Sequence, residues 1–230
     1  MLLLRTLILL VAGLSGVAAL PAPGAEPTPA EAALTAAIRL YDGGDRAGAA
    51  AALRSLSRRG VPAADYNLAV MHLDGGWPGA SVAEGQRLLE RAAAAGFVTA
   101  MFSLGQLHEH GRFGAGDLPT ALRWYRRAAE AGSVDGQVEL ATGYYLGRGV
   151  PHDPAQAAHW YREAAKGGDL GAQYLIASMY EAGEGVPADL RLARYWYDIA
   201  AKNGDSAAPG KVRAIDARLR APGAAATGRP

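Results

Sequence analysis

The chain contains no cysteine. That excludes a disulfide framework, thiol catalysis and thiolate metal sites, and with them a lipid-bearing N-terminal cysteine. Charge of either sign is not in excess: 23 Lys and Arg stand against 22 Asp and Glu. The chain therefore lacks the electrostatic footprint of a nucleic-acid binder. Runs that alternate with a period of two are scarce, which argues against sheet. Neither Ser-x-x-Lys nor a Gly-x-Ser-x-Gly elbow occurs. The Gly-x-Gly-Val-Pro loops lack the third glycine and preceding strand of a dinucleotide site, and no Walker lysine follows them. These loops read as turns. No catalytic residue is assigned, no cofactor is expected, and the expectation is a protein that is not an enzyme.

A long hydrophobic run is also missing. Thr6–Leu20 is apolar over 15 residues, short of the ~20 needed to span a bilayer. With Arg5 before it and small residues at Val17-Ala18-Ala19, it reads as a signal peptide over residues 1–19, with Ala25 as a second candidate cleavage point. The competing reading is an uncleaved anchor. The expected location is periplasmic or secreted, with no membrane insertion after cleavage.

What the chain does have is repetition. Ala63–Val98, Thr99–Val134, Asp135–Leu170 and Gly171–Ser206 align without an insertion. Position six is Leu68, Leu104, Leu140 and Ile176; position seven is small (Ala69, Gly105, Ala141, Ala177). Position ten is His72, His108, Tyr144 and Tyr180, and position thirteen is always glycine (Gly75, Gly111, Gly147, Gly183). An aromatic pair recurs as Trp124-Tyr125, Trp160-Tyr161 and Trp196-Tyr197. An Ala-Ala pair follows, at Ala92-Ala93, Ala128-Ala129, Ala164-Ala165 and Ala200-Ala201. Such self-similarity is the signature of a solenoid, in which each unit buries its apolar face only against its neighbours.

Each copy reads as helix A, a loop, helix B and a glycine turn. In the third copy helix A is expected over Gly136–Leu146, with Gly147 as its C-terminal cap. Asp153 before Pro154 opens helix B as cap and first residue, and Gly167-Gly168 stops it after Lys166. Residues 20–31 read as an extended Pro/Ala linker. Residues 32–62 form an N-terminal hairpin with helices at Ala32–Tyr41 and Ala47–Arg59 joined by Asp42-Gly43-Gly44-Asp45. After the repeats, Pro209-Gly210 is expected to interrupt the chain before a closing helix at Lys211–Arg220, within a capping segment 207–220. Residues 221–230 form a Gly/Ala/Pro tail. The expected fold is all-α: a right-handed α-solenoid of antiparallel helix hairpins, about five of them plus a C-terminal capping helix. The alanines allow close helix approach, and the Trp-Tyr pairs are expected to fill the space between layers.

The third copy, with Leu140-Ala141, Tyr144, Gly147-Arg148-Gly149-Val150-Pro151, Asp153, Ala157, Trp160-Tyr161, Ala164-Ala165 and Gly168, resembles the Sel-one-like repeat (SLR) family, a relative of the tetratricopeptide repeat. The fourth matches with Gly183-Glu184-Gly185-Val186-Pro187 and Asp189. The first departs, with Trp77-Pro78 in the loop, Ser81 for the aspartate and Leu88-Leu89 for Trp-Tyr. The second carries Phe113-Gly114-Ala115-Gly116 in place of Gly-Val-Pro. The resemblance implies an adaptor or scaffold, such as periplasmic regulators that bind sensor-kinase domains and scaffolds of polysaccharide secretion. Some cysteine-rich relatives are described as penicillin-binding proteins or β-lactamases.

By analogy with tetratricopeptide arrays, positions four, eight and eleven of helix A point into a concave groove. Position four is Tyr66, Phe102, Val138 and Tyr174; position eight is Val70, Gln106, Thr142 and Ser178; position eleven is Leu73, Glu109, Tyr145 and Glu181. Rings beside hydrogen-bonding groups suit recognition, so Tyr66, Phe102, Gln106, Glu109, Tyr145, Tyr174 and Glu181 are the candidate partner-binding residues. The competing reading for Tyr66, Phe102 and Tyr174 is packing between layers. The expected partner is a protein or peptide, such as the periplasmic domain of a membrane protein. An envelope hydrolase and a carbohydrate binder are the rival readings.

His108 and His110 lie about 200° apart on a helix and cannot share a metal. His72 and His108 read as packed imidazoles, a zinc site between them being the sharper alternative. No metal site is assigned. Arg123, Arg126, Arg127, Arg162, Arg191 and Arg194 on the B helices, interleaved with Glu130 and Glu163, read as a solvated outer face.

Overall fold

A computed structural model describes residues 26–220. The expected signal peptide and tail, and most of the expected linker, lie outside the described residues. Among these residues there are eleven α-helices and no strand: α1 (Pro29–Asp42), α2 (Arg46–Arg58), α3 (Pro62–Asp74), α4 (Val82–Ala94), α5 (Val98–Glu109), α6 (Leu118–Glu130), α7 (Val134–Leu146), α8 (Pro154–Lys166), α9 (Leu170–Ala182), α10 (Leu190–Lys202) and α11 (Ala208–Arg220). None of the described helices is long and apolar enough to cross a membrane.

The chain divides into two compact units, Met1–Ser133 and Val134–Pro230. In the first, α1 pairs with α2, α3 with α4 and α5 with α6, and α2·α3 and α4·α5 join successive hairpins. In the second, α7 pairs with α8 and α9 with α10, α8 packs on α9, and α11 closes against α10.

Local chemistry sets the helix bounds. Asp117, Asp153 and Asp189 each accept a backbone N–H of the first turn of the B helix that follows, and Ser81 does the same for α4. Proline falls in the first turn of α3, α6 and α8, where a missing N–H costs nothing. Gly183 ends α9 in the left-handed conformation, with φ 75°, a geometry that would strain a side-chain-bearing residue.

Three expectations need correction. The linker ends early, because Thr28 and Glu31 form a reciprocal capping box that starts α1 at Pro29. Pro209-Gly210 does not interrupt the chain. Both sit in the first turn of α11, where proline is tolerated, and the Asp205 carboxylate receives Ala207 N–H at 2.9 Å and Ala208 N–H at 2.7 Å. The Trp-Tyr pair also divides its labour. Tyr125, Tyr161 and Tyr197 are buried, as is Trp196, whereas Trp124 and Trp160 are only half-buried.

The interior combines small residues with leucines and the tyrosines. Ala92, Ala93, Ala128, Ala164 and Ala200 have no exposed surface, so backbones approach closely and the rings fill the gaps between them. Gly105 shows how close: a Cβ there would run into the Tyr125 ring.

Candidate functional site: the helix A positions around the helix B tyrosines

In the last three repeats, A-helix side chains drawn from positions four, eight and eleven meet the tyrosine of their own B helix. In the second repeat Phe102 lies 5.5 Å from Tyr125, centroid to centroid. Tyr125 donates its hydroxyl to Glu109 at 2.8 Å. In the third, the Tyr161 hydroxyl meets Thr142 Oγ1 at 2.9 Å, and Tyr145 stands edge-on to the Tyr161 ring at 6.5 Å. In the fourth, Tyr174 stands edge-on to Tyr197 at 5.0 Å, and the Tyr197 hydroxyl donates to Glu181 at 3.1 Å. Each ring buries its body and keeps its hydroxyl for a polar partner, the usual arrangement for tyrosine.

The surroundings shift these groups. Burial first of all pushes the Tyr161 hydroxyl pKa up. Tyr197 is raised as well, chiefly by burial and then by the charge of Glu181, against the hydrogen bond from Ser178. Glu181 ends below the ordinary carboxylate value: burial opposes ionisation, but Lys211 and Tyr197 hydrogen bonds and the Arg218 charge outweigh it. Lys211 Nζ lies 3.0 Å and the Arg218 guanidinium 2.9 Å from Glu181. Glu181 therefore anchors α11 as well as facing Tyr197.

The candidate residues do not all share one environment. Tyr66 is 2% exposed, lies 5.3 Å from Phe97 and hydrogen-bonds Ser103, and its pKa is raised by burial. It packs between layers. Val70 and Leu73 are also buried, Leu73 closing against the place where Gly85 has no side chain. Phe102, Gln106 and Glu109 on α5, Val138, Thr142 and Tyr145 on α7, and Tyr174, Ser178 and Glu181 on α9 are half-buried. The first repeat thus contributes packing at these positions, and the other three contribute partly open side chains.

Two elements escape a sequence reading. One is the set of B-helix tyrosine hydroxyls that join the A-helix residues. The other is position fourteen, which reaches back to position eleven of the preceding repeat. Arg112 donates to the carbonyl oxygen of Leu73 at 2.5 Å, and Glu184 accepts the Tyr145 hydroxyl at 3.3 Å. The loop side chain differs in charge between these repeats, so no periodic residue type marks the role.

His72 and His108 pack against aromatic rings. His72 is buried with its ring edge on Trp77 at 5.2 Å, and His108 meets Phe113 at 5.2 Å. Among the described residues no three His, Asp or Glu side chains gather as metal ligands. On the B helices Arg127 lies over Trp124 at 4.4 Å, Arg194 pairs with Asp216, and Glu163 takes Lys166 at 2.8 Å.

The Sel1 repeat profile matches residues 62–97, 98–133, 134–169 and 171–205. The chain belongs to the Sel1-repeat family. Solved structures similar to it include the following two. One is a protective antigen present in uropathogenic Escherichia coli strains that displays an SLR fold: 30% identity, TM-score 0.70, covering 81% of this chain and 41% of that one. The other is a Sel1 repeat protein from Oxalobacter formigenes: 30% identity, TM-score 0.65, covering 73% of this chain and 49% of that one. The chain spans less than half the length of either. No curated protein matches it. The fold is accordingly the all-helical SLR solenoid. Sel1-repeat proteins are generally protein-interaction scaffolds, and typically not catalytic.

Proposed function

We propose that this Sel1-repeat protein is a non-catalytic scaffold of the cell envelope that holds a protein or peptide segment against the A-helix faces of its repeats. The observation that carries the reading is that each unit by itself offers half-buried rings beside a polar side chain at position eight or eleven: Phe102 in the first, Tyr145 and Tyr174 in the second. Rings of this kind contribute contact area at low entropic cost, and the adjacent Gln106, Glu109, Thr142, Ser178 and Glu181 supply hydrogen bonds that orient a partner. Export rests on the apolar run at residues 6–20 following Arg5. The partner is the periplasmic part of a membrane protein, and docking on it regulates a signalling or secretion step.

The test is in-cell crosslinking of a tagged chain, followed by mass spectrometry, in the wild type and in a Phe102→Ala/Tyr145→Ala/Tyr174→Ala variant whose helicity is checked by circular dichroism. The expected result is a partner reproducibly captured by the wild type and lost in the folded variant. Capture unaffected by the triple substitution would show that the A-helix faces are not the contact. Fractionation of the same cells, with the mature N-terminus read by mass spectrometry, tests export. A cytoplasmic protein retaining Met1 would exclude it.

A further inference from the structure

In each of the last three repeats the loop between helices A and B is closed by the same backbone bond. The N–H at position nineteen donates to the main-chain carbonyl at position ten: Asp117 to His108 at 2.9 Å, Asp153 to Tyr144 at 3.0 Å, and Asp189 to Tyr180 at 2.9 Å. The first repeat departs from this. The N–H of Ser81, at position nineteen, donates instead to the imidazole Nδ1 of His72, at position ten, at 3.1 Å. One loop of the four is closed on a titratable acceptor.

An imidazole nitrogen accepts a hydrogen bond only when it carries a lone pair. The contact therefore fixes His72 as neutral, with its proton on Nε2. The surroundings hold it there. His72 is 5% exposed, and Trp77 folds across it, edge to face, with the indole N–H donating to the Met71 carbonyl at 3.3 Å. Two charges face it. Arg54 of α2, whose guanidinium lies over the Trp77 ring at 5.1 Å, opposes a second cation, and Glu84 of α4 favours one. Burial is the larger influence, and the His72 pKa lies below its ordinary 6.5.

We propose that His72 is a proton-operated latch for the loop 75–81 and the start of α4. Protonation turns Nδ1 from acceptor to donor. It then points an N–H at the Ser81 N–H, and the closing bond is lost. Ser81 is also the cap of α4, its Oγ accepting Glu84 N–H at 3.3 Å, so release of the loop frees the first turn of that helix too. The linkage has one sign. The folded state holds His72 neutral more firmly than the unfolded chain does. The stabilisation is thus complete above the ordinary imidazole pKa and lost as pH falls through the lower folded value. His108 is the built-in comparison: it occupies the same position and meets the aromatic Phe113, but its carbonyl, not its ring, takes the position-nineteen N–H.

The test is amide hydrogen exchange, corrected for the intrinsic pH dependence of exchange, together with 15N NMR of the histidine rings. The expected result is protection over residues 76–84 that falls by up to about tenfold per pH unit below the ordinary imidazole value of 6.5 and levels off below the lower folded value, while loops 111–117, 147–153 and 183–189 keep theirs. His72→Asn places an amide oxygen near the position of Nδ1 and cannot titrate, so it is expected to keep the loop closed at acidic pH. The ring spectrum guards against a variant that fails to fold: wild-type His72 is expected as the neutral Nε2–H tautomer. A proton found on Nδ1 at neutral pH, a first loop no more acid-sensitive than the other three, or the same sensitivity in folded His72→Asn would each overturn the proposal.

Discussion

The carboxylate of Asp65, on α3, is gripped by both arms of the Arg91 guanidinium from α4, with Nε at 2.6 Å. Asp65 is buried, while the arginine side chain keeps 43% of its surface open and also reaches Ser57 of α2. The pair ties three consecutive helices of the first unit. Its asymmetry makes the arginine the sensitive partner. Arg91→Ala strands a buried carboxylate and is expected to lower stability by about 2–3 kcal/mol, whereas Asp65→Asn, which leaves no charge unpaired inside, is expected to cost less. Urea unfolding monitored by circular dichroism ranks the two.

Gly105 gives a prediction opposite to what repeat comparison suggests. The other repeats carry alanine at position seven, and alanine favours helix over glycine by roughly 1 kcal/mol. Here the Tyr125 ring, held between Phe102 and Glu109, occupies the space a Cβ would need. Gly105→Ala is expected to destabilise by about 1–2 kcal/mol through overpacking and to shift the Tyr125 ring. Thermal unfolding and aromatic chemical shifts are the measurements; a stabilised variant would show that the ring gives way freely.

The two rings of the third repeat should separate cleanly. Tyr161 is buried, so Tyr161→Ala is expected to cost about 3–5 kcal/mol. Trp160 is half-buried, and its buried indole N–H meets no hydrogen-bond acceptor among the described residues. Its removal therefore also relieves an unfavourable burial. Trp160→Ala is expected to shift the denaturation midpoint by less than half as much as Tyr161→Ala.

Acid should loosen the last helix. Glu181 holds Lys211 and Arg218 of α11, and its folded pKa lies below its ordinary 4.5. Those ion pairs therefore contribute fully above about 4.5 and are lost as pH falls through the lower folded value. Hydrogen exchange over 208–220 is expected to accelerate there before that of α9. In Glu181→Gln, α11 should exchange faster than in the wild type above about 4.5, where the wild-type ion pairs are intact, and lose this acid step.

The sequence displays the fold because its signals are redundant. The Asp153-Pro154 start and Gly167-Gly168 stop bracket α8 as found, and the repetition of Leu140 and Ala141 in neighbouring repeats marks the buried stripe. The start of α1 was harder to read. Its capping box, Thr28 and Glu31, is embedded in a proline-rich stretch whose composition outweighs a single local motif. The side chains around the tyrosines were legible as a class and not in detail. Position four packs as Tyr66 in one repeat and stays half-open as Tyr174 in another, because exposure depends on which helices lie beside it. Position fourteen could not be read at all: Arg112 and Glu184 perform the same reach with opposite charge, one to a carbonyl and one to a phenol.

That backward reach has a consequence for how such a chain grows. Arg112 grips Leu73 of the repeat immediately before it, and Glu184 grips Tyr145 in the same way; neither needs to recognise anything further off. A duplicated stretch of 36 residues, the span of one matched repeat, would meet the two hooks differently: Arg112 asks only for a main-chain carbonyl, whereas Glu184 asks for a phenol and would face Glu181 if its own repeat were doubled. Lengthening by whole units is then easiest where the joint is made to the backbone, because every repeat offers a carbonyl there and only some offer the matching side chain.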